Sequence, residues 1–414
     1  MDQPSPPAED PRRWRLLGIV AAGELFAMAP WFSASAVAPI LATEWHLDHL
    51  GLPILAIAVQ LGFVVGALAL AVTGAADVLP ARTLFAVGAF SAAAANLGFA
   101  FIAQDAATAL PYRMVTGLAL AGVYPVGLKL LTGWFRRERG LAVGVLVGAL
   151  TVGSALPYLL RAVGASQGLD WHVTVGAASG LGVIGGLLVL SGAPNGPWDV
   201  PAPRFSLDVA RAAFREPSVR LANLGYLGHM WELYAMWTWV PLFIAASFVA
   251  AGTDSPASAS LAAFAIVGSG GVGCVVAGLI ADRLGRTTVT IIAMAASGTS
   301  AIVVGVLFGA PPILTVVVGL VWGVTVVADS AQFSTAVSEL APAGTAGSAL
   351  ALQTALGFLL TGVTILAVGL LGPTDGTGWR IAFGLLALGP LVGIAAMWRL
   401  RRRPEAIRMA NGHK

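Results

Sequence analysis

The chain contains very little cysteine and very little charge. Its 414 residues include a single cysteine, Cys274, and charged side chains account for only 10% of the sequence. One cysteine excludes a disulfide within the chain and a metal site built from several thiolates. Soluble domains carry about 25% charged residues. The low charge content therefore argues against a soluble protein.

Apolar residues are abundant instead, at 57% of the sequence. A helical run of about 20 such residues is long enough to cross the hydrocarbon core of a bilayer. The chain contains a series of such runs, with approximate limits 16–41, 52–75, 81–103, 107–132, 139–161, 172–191, 219–249, 259–280, 287–309, 312–333, 347–371 and 379–398. This pattern predicts an all-α integral membrane protein with twelve transmembrane helices, here called spans one to twelve, embedded in a lipid bilayer.

The arginines predict the orientation of these spans. The loops on one side of the membrane hold nearly all of them, in the groups Arg12, Arg13 and Arg15; Arg82; Arg136, Arg137 and Arg139; Arg204, Arg211, Arg215 and Arg220; Arg283 and Arg286; and Arg401, Arg402 and Arg403. Because basic loops stay on the inner side, both termini are predicted to be cytoplasmic. The short loops favour a multi-pass protein of a bacterial cell inner membrane. These arginines also explain the net charge of +3, so no nucleic-acid partner is expected.

The longest connection between spans divides them into two groups of six. Its composition, rich in proline and in charges of both signs, is typical of a linker. We predict a cytoplasmic tail, an N-terminal half, a cytoplasmic linker with a short helix near 207–214, a C-terminal half and a second tail, at 1–15, 16–191, 192–218, 219–398 and 399–414. Motifs after spans two and eight, and at the start of spans six and twelve, repeat weakly between the halves, as in internally repeated transporters.

Ionisable residues lie deep inside four of the apolar runs. They occur in spans one, four, seven and ten, and they are Glu24, Arg113, Lys129, His229, Glu232 and Asp329. Charge inside a bilayer is costly, so such residues usually face a polar cavity and mark the path of a solute or a proton. Their recurrence in every third span predicts that these four helices line a common cavity.

The two basic residues are both in span four. Gly117 follows Arg113 by one turn and leaves its helix face bare, so the guanidinium has room to bind an anion through two hydrogen bonds. Lys129 lies nearer the cytoplasmic end and is a second candidate solute ligand. The alternative is that both side chains extend to the membrane interface. A purely structural ion pair between Glu24 and Lys129 is a further alternative.

Span seven is the densest stretch of chemically active side chains. His229 and Glu232 are three residues apart and share a helix face. Glu232 lies near the centre of the bilayer and is the leading candidate for the proton carrier. His229 is expected to relay the proton or bind the solute, although it could simply bond to a neighbour. The aromatic residues of the same helix are candidates to pack against an organic solute, and they are Trp231, Tyr234 and Trp237.

Spans ten and eleven add three polar candidates. Asp329 and Gln332 share a face of span ten, and Gln353 lies in span eleven. Asp329 is a proton carrier with Glu24 and Glu232, while the two glutamines are expected to contact the solute. The alternative for Asp329 is a structural role as the cap of a broken helix.

The loop after span eight carries a compact motif of glycines and charges, formed by Gly278, Asp282, Arg283, Gly285 and Arg286. The glycines permit a tight turn and close helix approach, and the charged side chains can bond across helix ends. The motif predicts a cytoplasmic gate, with Asp77 and Arg82 after span two as its counterpart. The alternative is an ordinary loop whose arginines only set the topology.

Taken with other short patterns, this motif resembles the major facilitator superfamily over essentially the whole chain. The segment 278–286 is similar to the loop 8–9 signature of the family, and the segment 74–82 is a degenerate form of its loop 2–3 counterpart. Arg113 and Gly117 resemble its fourth-helix motif, and residues 134–140 resemble its loop 4–5. The resemblance implies alternating access, with helices one, four, seven and ten lining the cavity.

The predicted function is proton-coupled secondary transport by a monomer. The basic pair of span four would attract an anionic or zwitterionic organic solute, while the acidic residues carry the coupling protons. No motif typical of a channel, an ATP-driven pump or a metalloenzyme occurs, so an enzyme is not expected, nor a metal or another cofactor. The competing prediction is proton-antiport efflux of hydrophobic drugs or metabolites, because four residues of span five resemble part of the family's antiporter motif: Gly144, Gly148, Gly153 and Pro157.

Overall fold

The structure is a computed structural model that describes residues 10–199 and 205–414, with all of their side chains except those of residues 76, 77 and 411. Within these ranges the secondary structure is entirely helical. Spans two to twelve are the helical segments Gly51–Thr73, Ala81–Phe101, Ala106–Thr132, Arg139–Ser166, Trp171–Gly192, Pro217–Ala250, Pro256–Leu284, Arg286–Val306, Pro312–Leu340, Ala346–Leu371 and Gly376–Arg401. Each is long and apolar enough to cross a membrane, so the predicted multi-pass helical fold is confirmed.

The remaining predicted span is span one, and its helix is interrupted. It consists of the helices Arg12–Ala27, Ser33–Ala36 and Ala38–Glu44, separated by a turn around Pro30. Proline lacks the N–H that would continue the helical ladder. The break leaves carbonyl groups of the turn without helical partners.

Three further spans are interrupted near their middle. Span four breaks between Leu120 and Tyr124, span eight at Ser269, and span ten at Asp329. The Asp329 side chain makes no capping hydrogen bond at this break. The alternative in which Asp329 caps a broken helix is therefore half correct, because the break exists but the carboxylate does not cap it.

The spans pack as two groups that meet along two seams. Spans one to six contact one another, as do spans seven to twelve, and the groups meet where span two packs on span eleven and span five on span eight. The two termini of the helical bundle lie at one end, here called the terminal face, and the opposite end is the distal face. The predicted domain boundaries stay predictions.

Spans five and eight touch backbone to backbone near the terminal face. A side-chain carbon added at Gly144 would lie 2.8 Å from the carbonyl oxygen of Cys274, and one added at Gly278 would lie 2.8 Å from that of Gly140. Small residues allow this close approach between membrane helices. The seam is therefore closed at its terminal end.

The connection between the groups runs across the terminal face. The main-chain N–H of Trp198 donates to the carbonyl of Gly133 after span four, and that of Phe205 donates to the carbonyl of Ala71 in span two. The N–H of Ser206 donates to the Ser348 hydroxyl in span eleven at 3.2 Å. The predicted short helix is present at Leu207–Arg215, capped by Ser206. The linker thus contacts both groups of spans.

Candidate functional site

A cavity of about 960 Å³ opens at the distal face between the two groups of spans. Its walls come from the distal part of span one, from spans five, seven and eight, and from the loops before span ten and before span twelve. Organic ligands occupy cavities of about 300–1,000 Å³. The cavity is therefore large enough for a drug-sized molecule.

The lining of this distal cavity is mostly apolar. Aliphatic and aromatic side chains of spans one, seven and eight form most of it, among them Ile40, Leu242, Phe248, Val249 and Ala259. The charged groups of the lining are three carboxylates and one guanidinium, namely Glu44, Asp254, Asp375 and Arg161. Glu44 is held by a 2.8 Å hydrogen bond from the indole of Trp171. The lining suits a lipophilic body better than an anionic one.

The ionisable residues of spans one, four, seven and ten do not line the distal cavity, and their predicted role in a common cavity stays a prediction. None of Glu24, Arg113, Lys129, His229, Glu232 and Asp329 is among its lining residues. All except Lys129 are at most 2% exposed. The buried ones are packed inside the two groups of spans, and Lys129 lies against the linker.

Arg113 is bound to the break in span one. Its guanidinium donates to the carbonyl of Pro30 at 3.1 Å and to Asn96 at 3.0 Å, and it also donates to the carbonyl of Trp31. The bare face expected at Gly117 is occupied, because a side-chain carbon there would collide with the carbonyl of Val59 in span two. Both terminal nitrogens of Arg113 are therefore bonded by spans one and three, and its buried Nε has no partner among the described residues.

Glu24 and Lys129, which the sequence suggested as an ion pair, have different surroundings in the structure. The ammonium of Lys129 lies 3.9 Å from a carboxylate oxygen of Asp199 in the linker. Glu24 is fully buried beside Gly127, and neither of its oxygens has a hydrogen-bond partner among the described residues. A buried ionised carboxylate without donors is costly. Glu24 is therefore the buried acid that depends most on a proton or on a mobile cation.

Glu232 is held inside the C-terminal group of spans. One carboxylate oxygen accepts from the Ser297 hydroxyl of span nine at 2.8 Å, and the other accepts from the Trp322 indole of span ten at 2.7 Å. Both donors come from neighbouring helices of the same group. Glu232 therefore joins spans seven, nine and ten, and it does not face the distal cavity.

His229 and Asp329 are brought together, as the shared-cavity prediction expected for spans seven and ten. Nδ1 of His229 lies 2.9 Å from Oδ1 of Asp329. The angle is poor for a hydrogen bond, and Nε2 of His229 also has no partner among the described residues. The two side chains are thus close enough for an ion pair. Nε2 of His229 and Oδ1 of Asp329 remain available to a proton or a polar ligand.

Aromatic rings at the centre separate this pair from the cavity. The ring of Trp31 in span one is tilted against those of Tyr234 in span seven and Phe63 in span two, with centroid distances of 5.8 Å and 5.0 Å. Phe358 of span eleven lies 4.9 Å from Tyr234, and Trp237 lies 5.2 Å from it. Tyr234 and Trp237 are therefore part of a packed aromatic cluster, and their contact with an organic solute stays a prediction.

Trp231 lies away from that cluster. Its indole donates to the carbonyl of Leu385 at 2.9 Å, so it fills the contact between spans seven and twelve. The predicted role of Trp231 in packing against the solute is not supported by this position.

Gln353 of span eleven is fully buried, and its amide nitrogen has no partner among the described residues.

The terminal-face motif centres on Arg286. Its guanidinium contacts Asp282 at 2.6 Å, Glu339 at 3.1 Å and the side-chain oxygen of Gln332 at 2.8 Å. Gln332 is therefore bonded to Arg286 of the loop motif, and it is not among the residues that line the distal cavity. These bonds join spans eight, nine and ten within one group. Across the seam, Asp282 lies 3.6 Å from where a side-chain carbon of Gly140 would be, at the N-terminal end of span five.

The other predicted gate residues differ in exposure. Arg283 is exposed, and Gly285 adopts a φ of 88° that favours glycine. In the loop after span two, Gly74 has a φ of 67°, and Arg82 is exposed. The side chain of Asp77 lies outside the described residues. The weaker motif of the first half therefore shows no ionic latch in the described part of the chain.

Several site residues were missed by sequence reasoning. Asn96 and Ser33 complete the network around Arg113, and Ser297 and Trp322 hold Glu232. A polar residue or a tryptophan in the middle of an apolar run was a usable signal for each. The cavity residue Ser35 carried the same signal as Ser33, whereas Tyr158 lies near the end of its apolar run, where a tyrosine is common.

The fold and the site define a multi-pass helical carrier with a cavity between two groups of six spans. The family model described as Major Facilitator Superfamily matches residues 20–365, and the chain belongs to that family. The chain is therefore a multi-pass membrane protein of a family of transporters.

Two fungal proteins resemble part of the sequence. The chain is 29% identical over 184 residues to the MFS-type transporter pytF of Aspergillus terreus, which covers 43% of this chain and 58% of that protein. It is 25% identical over 191 residues to the MFS transporter asaE of Aspergillus flavus, covering 46% of this chain and 41% of that protein. The chain thus spans about half the length of the curated relatives it matches.

Solved transporters share the fold. A structure of the xylose transporter XylE from E. coli has a TM-score of 0.72 at 14% identity and covers 94% of this chain and 99% of its own. A bacterial homologue of the human lysosomal transporter Spinster has a TM-score of 0.71 at 13% identity, covering 95% and 98%. Identity this low supports the shared fold and nothing about the solute.

Proposed function

We propose that the chain is a proton-coupled secondary transporter that exports a lipophilic organic solute by alternating access. The observation that carries this proposal is the distal cavity of about 960 Å³ with a mainly apolar lining. A lipophilic solute crosses a bilayer without help, so a carrier is useful mainly for moving it outward against a gradient. This is the efflux alternative expected from the sequence.

The predicted import of an anionic or zwitterionic solute has less support. It depended on Arg113 and Lys129, which contact the break in span one and Asp199 of the linker. The cavity itself carries three carboxylates for one guanidinium. A carboxylate head would therefore meet net repulsion at the cavity mouth.

The proposed proton carriers lie on the terminal side of the aromatic cluster. Glu24 lacks donors, and the His229–Asp329 pair has unused hydrogen-bonding capacity. Glu232 is a weaker candidate than the sequence indicated, since both of its oxygens are already bonded. In this scheme the terminal face is cytoplasmic in a bacterial inner membrane, and protonation accompanies the opening of the seam between spans five and eight.

The direction of transport is tested in cells that accumulate a candidate solute. Dissipating the proton gradient should raise the cellular amount of the solute if the protein exports it. A fall in the cellular amount would identify an importer and contradict the proposal. The candidate solutes come from a thermal-shift screen of the purified protein against neutral lipophiles, organic acids and lipophilic cations, because selective ligands stabilise the folded state.

A further inference from the structure

Polar groups from three spans meet at the deep end of the distal cavity. Tyr158 of span five and Ser35 of span one line it, and their side chains approach one another. The Tyr158 hydroxyl donates to the main-chain carbonyl of Trp237 in span seven at 3.0 Å. Tyr158 is only 1% exposed. The cavity therefore ends in a small polar floor below apolar walls.

The Trp237 carbonyl is available because of a proline. In a helix, a carbonyl accepts from the N–H four residues later. For Trp237 that residue is Pro241, which lies inside span seven and has no N–H. Pro241 also lines the cavity. The freed carbonyl is bonded instead by a side chain of the opposite group of spans.

We propose that the Tyr158 hydroxyl and the Trp237 carbonyl recognise a neutral hydrogen-bonding group, such as a hydroxyl or an amide, on an otherwise lipophilic solute. This inference rests on the proposed function and names its solute class. A solute donor can use the second lone pair of the carbonyl or the oxygen of Tyr158. A solute acceptor can take the Tyr158 proton.

The charges of the cavity support a neutral group at the floor. Arg161 lies one helical turn beyond Tyr158 toward the distal face, and the carboxylates of Glu44, Asp254 and Asp375 lie in the distal segments of the lining. A cationic head would be held at the mouth by the carboxylates, and an anionic head would be repelled there. A neutral polar group can pass these charges and reach the floor, where it can bond the remaining lone pairs of the Trp237 carbonyl and the Tyr158 oxygen.

Matched pairs of neutral molecules test the proposal on the purified full-length protein. The probes are 4-phenylphenol against biphenyl, and testosterone against its counterpart without the 17-hydroxyl. The wild type should bind the hydroxylated member of each pair roughly tenfold or more tightly. Tyr158→Phe should weaken this preference, because only the Trp237 carbonyl then remains to bond the solute hydroxyl, and it should leave the affinity for the other member unchanged. A preference that is undiminished in Tyr158→Phe overturns the assignment of the Tyr158 hydroxyl.

A second variant separates recognition from stability. Pro241→Ala gives residue 241 an N–H that can bond the Trp237 carbonyl, so the double variant Tyr158→Phe with Pro241→Ala should regain thermal stability lost in Tyr158→Phe. The proposal predicts that the hydroxyl preference disappears in the double variant, because the Trp237 carbonyl is then bonded by the N–H of residue 241. If the preference persists there, the two groups do not recognise the solute hydroxyl and the inference is wrong. Wild-type protein that binds both members equally also overturns it, whereas binding of organic acids alone would contradict the proposed function.

Discussion

The imidazole of His229 and the carboxylate of Asp329 lie side by side, with Nδ1 2.9 Å from Oδ1. Both side chains are almost fully buried, and span ten is interrupted at Asp329. A buried pair at a helix break can change its protonation together with the local backbone. This relationship links span seven to span ten beneath the aromatic cluster, and it supports the proposed coupling between protons and helix movement.

The first prediction concerns this pair. Asp329→Asn and His229→Gln should each lower proton-driven transport at least tenfold, because either change removes one partner of the proposed proton site. The stability effects should not add, with a coupling energy of about 0.5–3 kcal/mol in a double-mutant cycle. Thermal unfolding of the two single variants and the double variant gives this energy. Additive effects would show that the two residues do not interact.

Glu24 should act as an acid rather than as a structural anchor. Since its oxygens have no partner in the described part of the chain, Glu24→Gln should leave thermal stability unchanged or slightly higher. The same variant should lose proton movement in response to solute. Glu44→Gln is the matched control, because Glu44 lies at the cavity and already accepts from Trp171. Full coupling in Glu24→Gln would remove Glu24 from the mechanism.

Arg113 should prove necessary for the folded state. Arg113→Ala leaves the carbonyl of Trp31 without its donor, and it leaves the carbonyl of Pro30 and the Asn96 oxygen to share the single hydroxyl of Ser33. A loss of about 2–4 kcal/mol in the free energy of unfolding is expected, since buried polar groups would be unpaired. Unfolding measurements in detergent check this value. A variant of normal stability that binds solute weakly would instead support the solute-ligand role expected from the sequence.

The seam between spans five and eight should control opening at the terminal face. A side chain at Gly148 would press on the carbonyl of Gly271 at 3.0 Å, so Gly148→Leu should favour separation of the helices. Cys274 is buried in the same seam and reports the opening through its reaction with N-ethylmaleimide. We expect several-fold faster labelling in Gly148→Leu than in Gly180→Leu, where the added side chain meets open space. Equal rates would show that the seam is not the gate.

Much of the fold was predictable because each span needs its own long apolar run. The limits of Gly51–Thr73 and Ala346–Leu371 differ from the predicted ones by a few residues. The break in span one was not predicted, although Pro30 lies in the middle of the apolar run. Hydropathy is blind to such a turn, because the turn is as apolar as the helix around it.

The site was less predictable for a different reason. The sequence shows which charges are costly in a membrane, but it does not show which neighbour supplies the compensation. Arg113 is compensated by carbonyls of span one and Glu232 by Trp322, and both contacts depend on the packing of distant segments. The hydrogen bond at the cavity floor forms because Pro241 has no N–H, which leaves the Trp237 carbonyl to accept from Tyr158. Composition does not reveal such a contact.

Proton movement in proteoliposomes tests the central claim most directly. The purified protein is reconstituted with a pH-sensitive dye inside, and a solute retained from the thermal-shift screen is added without an imposed gradient. Wild-type protein should move protons across the membrane opposite to the solute, at a rate that Glu24→Gln reduces at least tenfold while solute binding persists. Solute flux without any change in internal pH would contradict proton coupling, and proton movement in the same direction as the solute would contradict export by antiport.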